Sequence, residues 1–182
     1  GDNVEIIGVT HGINFRPDGL QFTVIDDSGD GIGLFSGANP FDYTYAEGDL
    51  VSIKGVISQF NGLTQINPDS IILLSSAVDL QEPMVVEDLG EDTESKYLKI
   101  EAATVLDPSE WLGDGSSFNV QVESSSGAVF VMRIDSDSEL SGLPLPGTDV
   151  MITGIGGQFD SSEPFDEGYQ IFPSFDGDVV MV

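Results

Sequence analysis

Residues 48–60 read Gly-Asp-Leu-Val-Ser-Ile-Lys-Gly-Val-Ile-Ser-Gln-Phe, and residues 147–159, about 99 positions later, read Gly-Thr-Asp-Val-Met-Ile-Thr-Gly-Ile-Gly-Gly-Gln-Phe. The residues shared at this constant offset are Gly48/Gly147, Val51/Val150, Ile53/Ile152, Gly55/Gly154, Gln59/Gln158 and Phe60/Phe159. A second match follows at a slightly longer offset, because Gln65, Ile66 and Pro68 return as Gln170, Ile171 and Pro173. Solenoid repeats are about 20–50 residues long, so this spacing indicates a small domain present twice, with an insertion in the second copy.

Both copies carry the pattern of β-strands. Short apolar runs alternate with clusters of Gly, Asp, Asn, Ser and Pro, and long stretches with helical periodicity are missing. Within Leu50–Phe60, Val51 and Ile53 fall on one face of an extended chain, and Ser52 and Lys54 fall on the other. The pattern predicts strands near Glu5–Thr10, Leu20–Ile25, Ile32–Phe35, Leu50–Phe60, Thr64–Leu74, Tyr97–Val105, Phe118–Val122, Val129–Ile134, Asp149–Gln158, Gly168–Phe172 and Asp178–Val182.

Glycines and one dipeptide indicate how these strands are connected. Asn61-Gly62 stands between two strand-like runs and predicts a two-residue hairpin, because both turn positions need positive φ. Gly55 and Gly154 interrupt their strands and predict a bulge or a sharp bend. The first copy has five predicted strands, and the second has the same five followed by Asp178–Val182. Five strands with a tight last hairpin and a longer connection before it fit a small Greek-key barrel. We therefore expect an all-β chain of two tandem five-stranded barrels.

The boundaries of the two barrels follow from the composition between them. The segment 77–95 contains Pro83 and the acidic run Glu87–Asp92, and it predicts a linker with one helical turn around Val86–Leu89. The first barrel is then expected at residues 1–76 and the second at residues 96–182.

The charge of the chain limits its partners. Five basic residues face 32 acidic ones, so the net charge is −27. Nucleic-acid binding depends on Lys and Arg that displace condensed counterions, and anionic membranes attract the same residues, so both partners are disfavoured. A simpler interpretation of the acidity is a well-solvated surface.

Several kinds of segment and chemistry are missing from the sequence. No segment reaches the ~18 apolar residues of a membrane span, so no membrane insertion is expected. No signal peptide begins at Gly1, as expected of a mature segment. The absence of cysteine excludes disulfides, thiol catalysis and cysteine-ligated zinc. No nucleophile elbow or phosphate loop is recognisable, so the chain is not expected to be an enzyme.

The motifs resemble a known family. Phe22–Gly29, Gly48–Gly55 and Asn61–Ile66 are similar to OB-fold modules of secreted and surface proteins in Bacteroidetes-type bacteria. In the second copy, Leu143–Gly147, Val150–Gly154, Gln158–Asp160 and Tyr169–Pro173 resemble the module that often follows it. The resemblance implies two OB-like barrels in a secreted or cell-surface protein, of a kind that often accompanies nuclease domains.

The same resemblance contains one departure. Relatives often carry a basic residue just after the last proline of the motif, where this chain has Ser174. That difference weakens the expectation of nucleic-acid binding which the family would otherwise suggest.

The candidate ligand-binding residues of the first copy follow from the OB architecture. Such barrels bind across strands 2 and 3, beside the loops that join strands 1 and 2 and strands 4 and 5. The first of these loops holds Phe15 and Arg16, which can stack on a planar ligand. Phe60 stands at the end of strand 4. The alternative for Phe15 is an aromatic that closes the barrel end. His11, the only histidine, is interpreted as structural.

The second copy contributes candidates that the first copy lacks. Trp111 lies in a polar, turn-rich loop and suits a sugar or peptide, or else it caps the core. The inserted loop 160–167 joins carboxylates to Phe165, and Phe159 and Tyr169 bracket it. Such a loop suits a carbohydrate, a basic peptide or a cation; the alternative is simple solvation. Arg133 is a further candidate found only in the second copy.

One loop invites a calcium interpretation. Asp26, Ser28 and Asp30 alternate ahead of Gly31, as in the first half of a calcium-binding loop. The twelfth position is Gly37 in place of a bidentate Glu, so a turn between two strands is the competing interpretation. Calcium at Asp26 and Asp30 is the single cofactor considered.

These observations lead to three functional hypotheses. The first is a non-catalytic binding or spacer module of a secreted or cell-surface bacterial protein, with a glycan or a protein as its target. The second is a nuclease-associated module that binds single-stranded nucleic acid through exposed aromatics. The third is a structural spacer stabilised by calcium.

Overall fold

The chain is all-β in the computed structural model, which describes residues 1–182. The strands of the first copy are β1 (Asn3–His11), β2 (Leu20–Ile25), β3 (Gly31–Ser36), β4 (Leu50–Phe60) and β5 (Leu63–Ser75). Those that follow are β6 (Met84–Val85), β7 (Tyr97–Val105), β8 (Phe118–Ser124), β9 (Val129–Ile134), β10 (Asp149–Gln158), β11 (Tyr169–Phe172) and β12 (Val179–Met181). Every predicted strand is present within about two residues of its expected bounds, and β6 alone was not predicted.

The first copy forms a closed five-stranded barrel, as predicted. Its strand order is β1-β2-β3-β5-β4, and the ring closes because β4 also pairs with β1. All neighbours are antiparallel except β3 and β5, which run parallel through Gly33 and Leu34. The inward faces of the strands bury Phe22, Val51 and Ile53 in a single apolar core. The alternation of apolar and polar side chains along β4 therefore separates core from solvent.

The predicted turn and one predicted bulge are present. Asn61 and Gly62 both have positive φ, and Phe60 pairs with Leu63 across the two-residue hairpin. The register of β4 shifts between Lys54 and Gly55. A Cβ atom on Gly55 would collide with the backbone carbonyl of Asn67, so only glycine fits there.

The second copy repeats most of these pairings within a seven-stranded sheet of order β12-β10-β11-β9-β8-β7-β6, and β10 pairs with β7 as well. The register shift of β10 lies between Val150 and Ile152 and not at Gly154, as the sequence had suggested. Along β8 the side chains alternate strictly between buried and exposed. The core of this copy includes Trp111, Phe118 and Met132.

The segment 77–95 is an ordered connection that packs on the second copy. Met84 and Val85 pair with β7, and Val86 and Leu89 pack against the second core. The predicted helical turn at Val86–Leu89 was misplaced, because these residues supply apolar contacts in an irregular stretch, and the short 3₁₀ helix is at Glu91–Thr93. The helices of the chain are short 3₁₀ turns of three or four residues, and none of them could span a membrane.

The two copies are in direct contact along a seam. The rings of Phe15 and Phe172 meet edge to face with centroids 5.8 Å apart, and those of His11 and Tyr97 lie 5.5 Å apart. The connection contributes to this seam as well, because the backbone N–H of Thr64 donates to the Glu94 carboxylate at 2.9 Å. Contacts spread over loops and strands of both copies are expected to hold them in one relative orientation.

Candidate functional site

The two strand 4–5 connections, one from each copy, meet at one end of the molecule. The backbone N–H of Asp160 donates to the carbonyl oxygen of Asn61 at 2.7 Å. Phe60 and Phe159 immediately precede these bonded residues, and they are 60% and 58% exposed. Two large aromatic side chains are therefore presented to solvent on segments that are fixed to each other. We name Phe60, Phe159 and the loop 160–167 the hairpin-tip patch.

The inserted loop of this patch is held in place by its own polar groups. The side-chain amide of Gln158 donates to the carbonyl oxygens of Phe165 and Glu167 at 2.8 and 2.9 Å. Asp160 accepts a bond from the Ser162 N–H at 3.0 Å, and this bond lowers the pKa of the Asp160 carboxyl. Such bonds restrict the loop before any partner arrives, which reduces the entropy lost on binding.

Carboxylates surround the exposed aromatics. Glu163, Asp166 and Glu167 are exposed on the inserted loop. Tyr169, half-buried at the start of β11, donates its hydroxyl to Glu91 at 3.2 Å; burial and this hydrogen bond raise the pKa of its phenol. The hairpin-tip patch is thus an apolar surface with an acidic rim.

The cations of the chain are engaged elsewhere. Lys54 pairs with Glu5 at 3.5 Å, Lys96 with Asp30 at 3.1 Å, and Lys99 with Glu101 at 3.8 Å. The guanidinium of Arg16 lies 5.4 Å from the centroid of the Phe35 ring. Arg133 donates to Asn119, its cross-strand neighbour, at 3.1 Å. None of these cations belongs to the hairpin-tip patch.

The face on which OB barrels usually bind is covered in the first copy. A cavity of about 60 Å³ lies between β2, β3 and β5 on one side and β10 and β11 on the other. Phe15 lines this cavity and packs on Phe172, so its role is that of a seam contact. Ligand pockets have volumes of about 300–1,000 Å³, and this cavity holds only a few water molecules.

Trp111 belongs to the core, and its prediction as a ligand anchor was wrong. The side chain is only 8% exposed and packs edge to face on Phe118 at a centroid distance of 5.4 Å. Its indole N–H donates to the carbonyl oxygen of Leu143 at 2.8 Å. A buried ring whose one polar atom already has a partner has no surface left for a ligand, so the alternative interpretation as a core cap is the correct one for this residue.

Asp26 and Asp30 form a turn between β2 and β3. Asp26 Oδ1 accepts bonds from the N–H and the hydroxyl of Ser28 at 2.8 and 2.6 Å, and the hydroxyl bond is the main reason that the pKa of Asp26 is lowered. Asp30 pairs with Lys96. No group of three or more His, Asp or Glu side chains forms a metal cluster here or elsewhere. Both carboxylates are occupied in holding the turn and its contact with the second copy.

Sequence reasoning did not identify the residues that shape the seam. Gly156 and Gly157 replace Ile57 and Ser58 of the first copy, and a Cβ on Gly156 would collide with the carbonyl of Thr93. The signal was present in the repeat itself, as two glycines at positions where the first copy has side chains. Ser174, where a basic residue was expected from the resemblance, is buried at 2% exposure in the same seam.

No protein-family model and no curated protein matches this sequence.

Proposed function

We propose that this chain is a non-catalytic binding module that recognises its partner through the hairpin-tip patch. The observation that carries the proposal is the pair of exposed phenylalanines, Phe60 and Phe159, on connections joined by a backbone hydrogen bond. Large aromatic side chains exposed on a fixed support are typical anchors of protein interfaces. The covered β2–β3 face of the first barrel leaves the tips as the accessible aromatic surface.

The second copy is proposed to be an OB-like barrel like the first. Its pairings connect β7 to β8, β8 to β9, β9 to β11, β11 to β10 and β10 back to β7. The parallel pair, β9 with β11, occupies the same place in this order as β3 with β5 in the first barrel. Two barrels in tandem explain why both strand 4–5 hairpins reach the same end of the molecule.

The chemistry of the patch favours a polypeptide partner with apolar and cationic side chains. Phenylalanine rings offer apolar area, and the carboxylates of the inserted loop attract Lys and Arg at the rim. A net charge of −27 strengthens that attraction at a distance. Aromatic rings beside carboxylates also suit a glycan, which is the second target to test.

The proposed cellular setting is a secreted or cell-surface protein of a bacterium. It rests on the resemblance to OB-fold modules of such proteins. The non-catalytic role rests on the absence of a recognisable catalytic motif. The only histidine, His11, is also buried, and its burial lowers the pKa of the imidazole, so it is neutral at physiological pH.

The proposal predicts that Phe60→Ala and Phe159→Ala each weaken partner binding about tenfold or more, a loss of about 1.4 kcal/mol or more. The wild-type chain is first screened by surface plasmon resonance against basic peptides and a glycan panel, and the variants are measured on the strongest ligand. Met181→Ala is the matched control, because Met181 is 68% exposed and lies at the edge strand β12. Equal affinity of all four proteins would contradict a role of the patch.

Two other outcomes would overturn the proposed class. Hydrolysis of a polymer by the chain would make it an enzyme. Tight binding of single-stranded oligonucleotides at low salt, lost in Phe60→Ala, would assign the patch to base stacking, as in nucleic-acid-binding OB folds.

A further inference from the structure

The seam contains a small acidic cavity that the proposed binding function does not use. Its volume is about 10 Å³, enough for one water-sized occupant. Glu47 from the first copy and Asp178 from the second both line it, together with Gly12, Tyr97 and Ser174. Two carboxylates from opposite sides of a seam repel each other unless something lies between them.

Both carboxylates are fixed by the backbone and keep a free oxygen. Glu47 Oε1 accepts a bond from the Gly12 N–H at 2.8 Å. Asp178 Oδ2 accepts bonds from the N–H groups of Ser174 and Phe175 at 2.8 and 2.9 Å. All of these bonds use one oxygen of each group, which leaves Glu47 Oε2 and Asp178 Oδ1 for a further ligand.

A buried hydroxyl in the same cavity has no partner. Ser174 is 2% exposed, and its Oγ makes no hydrogen bond. A Cβ placed on Gly12 would lie 3.1 Å from this atom, so the hydroxyl is directed at the Gly12 backbone, which also lines the cavity. Buried polar atoms are rarely left unpaired, and an unpaired hydroxyl indicates a missing occupant.

The charges around the cavity agree with this interpretation. Burial, together with the charge of Asp178, raises the pKa of Glu47, and burial raises that of Asp178. Burial and the negative charges of both raise the pKa of Tyr97 to about 12. No cation of the chain is paired with either carboxylate, because the three ion pairs lie elsewhere.

We propose that the seam cavity binds one hard cation, held by Glu47, Asp178 and the Ser174 hydroxyl, and that this ion ties the two copies together. Carboxylate and hydroxyl oxygens are the ligands that Ca²⁺ prefers, and a divalent ion neutralises both charges. Glu47 Oε2, Asp178 Oδ1 and Ser174 Oγ supply the protein oxygens that face the ion. The site differs from the Asp26–Asp30 loop, whose carboxylates are already occupied in a turn.

Thermal unfolding with CaCl₂ after treatment with a chelator tests the proposal, with KCl of equal ionic strength as the reference. We expect calcium to raise the Tm by about 5 to 10 °C at a concentration about a hundredfold above the Kd. Glu47→Gln and Asp178→Asn keep an oxygen for the backbone bonds but lose the charge, so they are expected to lose most of this rise. Isothermal titration with CaCl₂ is expected to show one site in the wild type and none in Glu47→Gln.

Two further variants separate a specific site from general screening of an acidic protein. Glu123→Gln removes one exposed charge on β8 and should keep the full calcium effect. Ser174→Ala removes an unpaired hydroxyl, so it should fold as well as the wild type in chelator and gain less from calcium. Equal calcium shifts in wild type, Glu47→Gln and Ser174→Ala, or no shift beyond that of KCl, would overturn the proposal.

Discussion

The position of Trp111 shows how one residue joins loop and core. It stands in the loop between β7 and β8, where a short 3₁₀ helix at Pro108–Glu110 begins with Asp107 accepting a bond from the Ser109 N–H at 2.9 Å. This helix turns the chain so that the indole enters the second core. The indole hydrogen bond to Leu143 then ties the loop to the segment before β10. One side chain thus connects two segments about 32 residues apart.

Trp111→Ala is expected to lower the free energy of unfolding by ~3–5 kcal/mol, because it leaves a cavity in the core and an unpaired carbonyl. Urea denaturation followed by circular dichroism measures the change. Phe159→Ala is the comparison, since a side chain that is 58% exposed should change stability by about 0.5 kcal/mol or less. A small effect of Trp111→Ala would show that the tryptophan does not support the core.

Strand β10 differs from its counterpart β4 in the groups that pack closely against its backbone. Gly156 lies against the connection between the copies, where the Ser95 N–H donates to its carbonyl oxygen at 2.8 Å. The backbone at Gly157 approaches the ring of Phe172 closely, and a Cβ there would lie 2.8 Å from it. Strand β10 has glycine where β4 has side chains, and this allows its backbone to approach the connection and the ring of Phe172.

Gly156→Ala is expected to destabilise the chain by about 1–3 kcal/mol, because the new methyl group overlaps the carbonyl of Thr93 and forces the connection away. Differential scanning calorimetry measures the change in Tm. The matched control is Gly142→Ala, since a Cβ at Gly142 meets nothing within 4 Å and the residue has no positive φ. Should both variants melt together with the wild type, the close approach at Gly156 would not matter for stability.

In the molecule as a whole, negatively charged side chains from the two copies face each other at the seam. The chain has a net charge of −27, and the seam adds Glu47 and Asp178, which are partly withdrawn from water. A carboxyl whose pKa is raised in the folded state binds its proton more tightly there than in the unfolded chain. The stability it contributes is present at low pH and is lost as the pH rises through the raised pKa.

Glu47→Gln is therefore expected to gain stability relative to the wild type as the pH rises from about 4 to about 7.5, because glutamine imitates the protonated acid. Urea denaturation of both proteins in the presence of a chelator measures the difference at each pH. Glu123→Gln controls for the loss of one negative charge in general. A difference between Glu47→Gln and the wild type that stays constant with pH would contradict the raised pKa.

The strands, the hairpin and the closed barrel of the first copy could be predicted from the sequence. The alternation of Val51 and Ile53 with Ser52 and Lys54 sets which face of β4 is buried, and Asn61-Gly62 allows a two-residue turn. These signals are local: they depend on neighbours in the chain and on backbone conformations that few residue types adopt. The exposed Phe60 and Phe159 were candidates on local grounds as well, since Phe60 ends β4 and Phe159 directly follows β10.

The roles of the loops and of the seam depend on contacts between residues that are distant in the sequence. Trp111 in a polar loop fits either a ligand anchor or a core cap, because its burial depends on where Leu143 and Phe118 lie in space. The cavity between Glu47 and Asp178 joins residues that are far apart in the chain. No periodicity or turn signal in the sequence predicts that these two residues lie close together. Their proximity follows from the shapes of two folded surfaces and not from either segment alone.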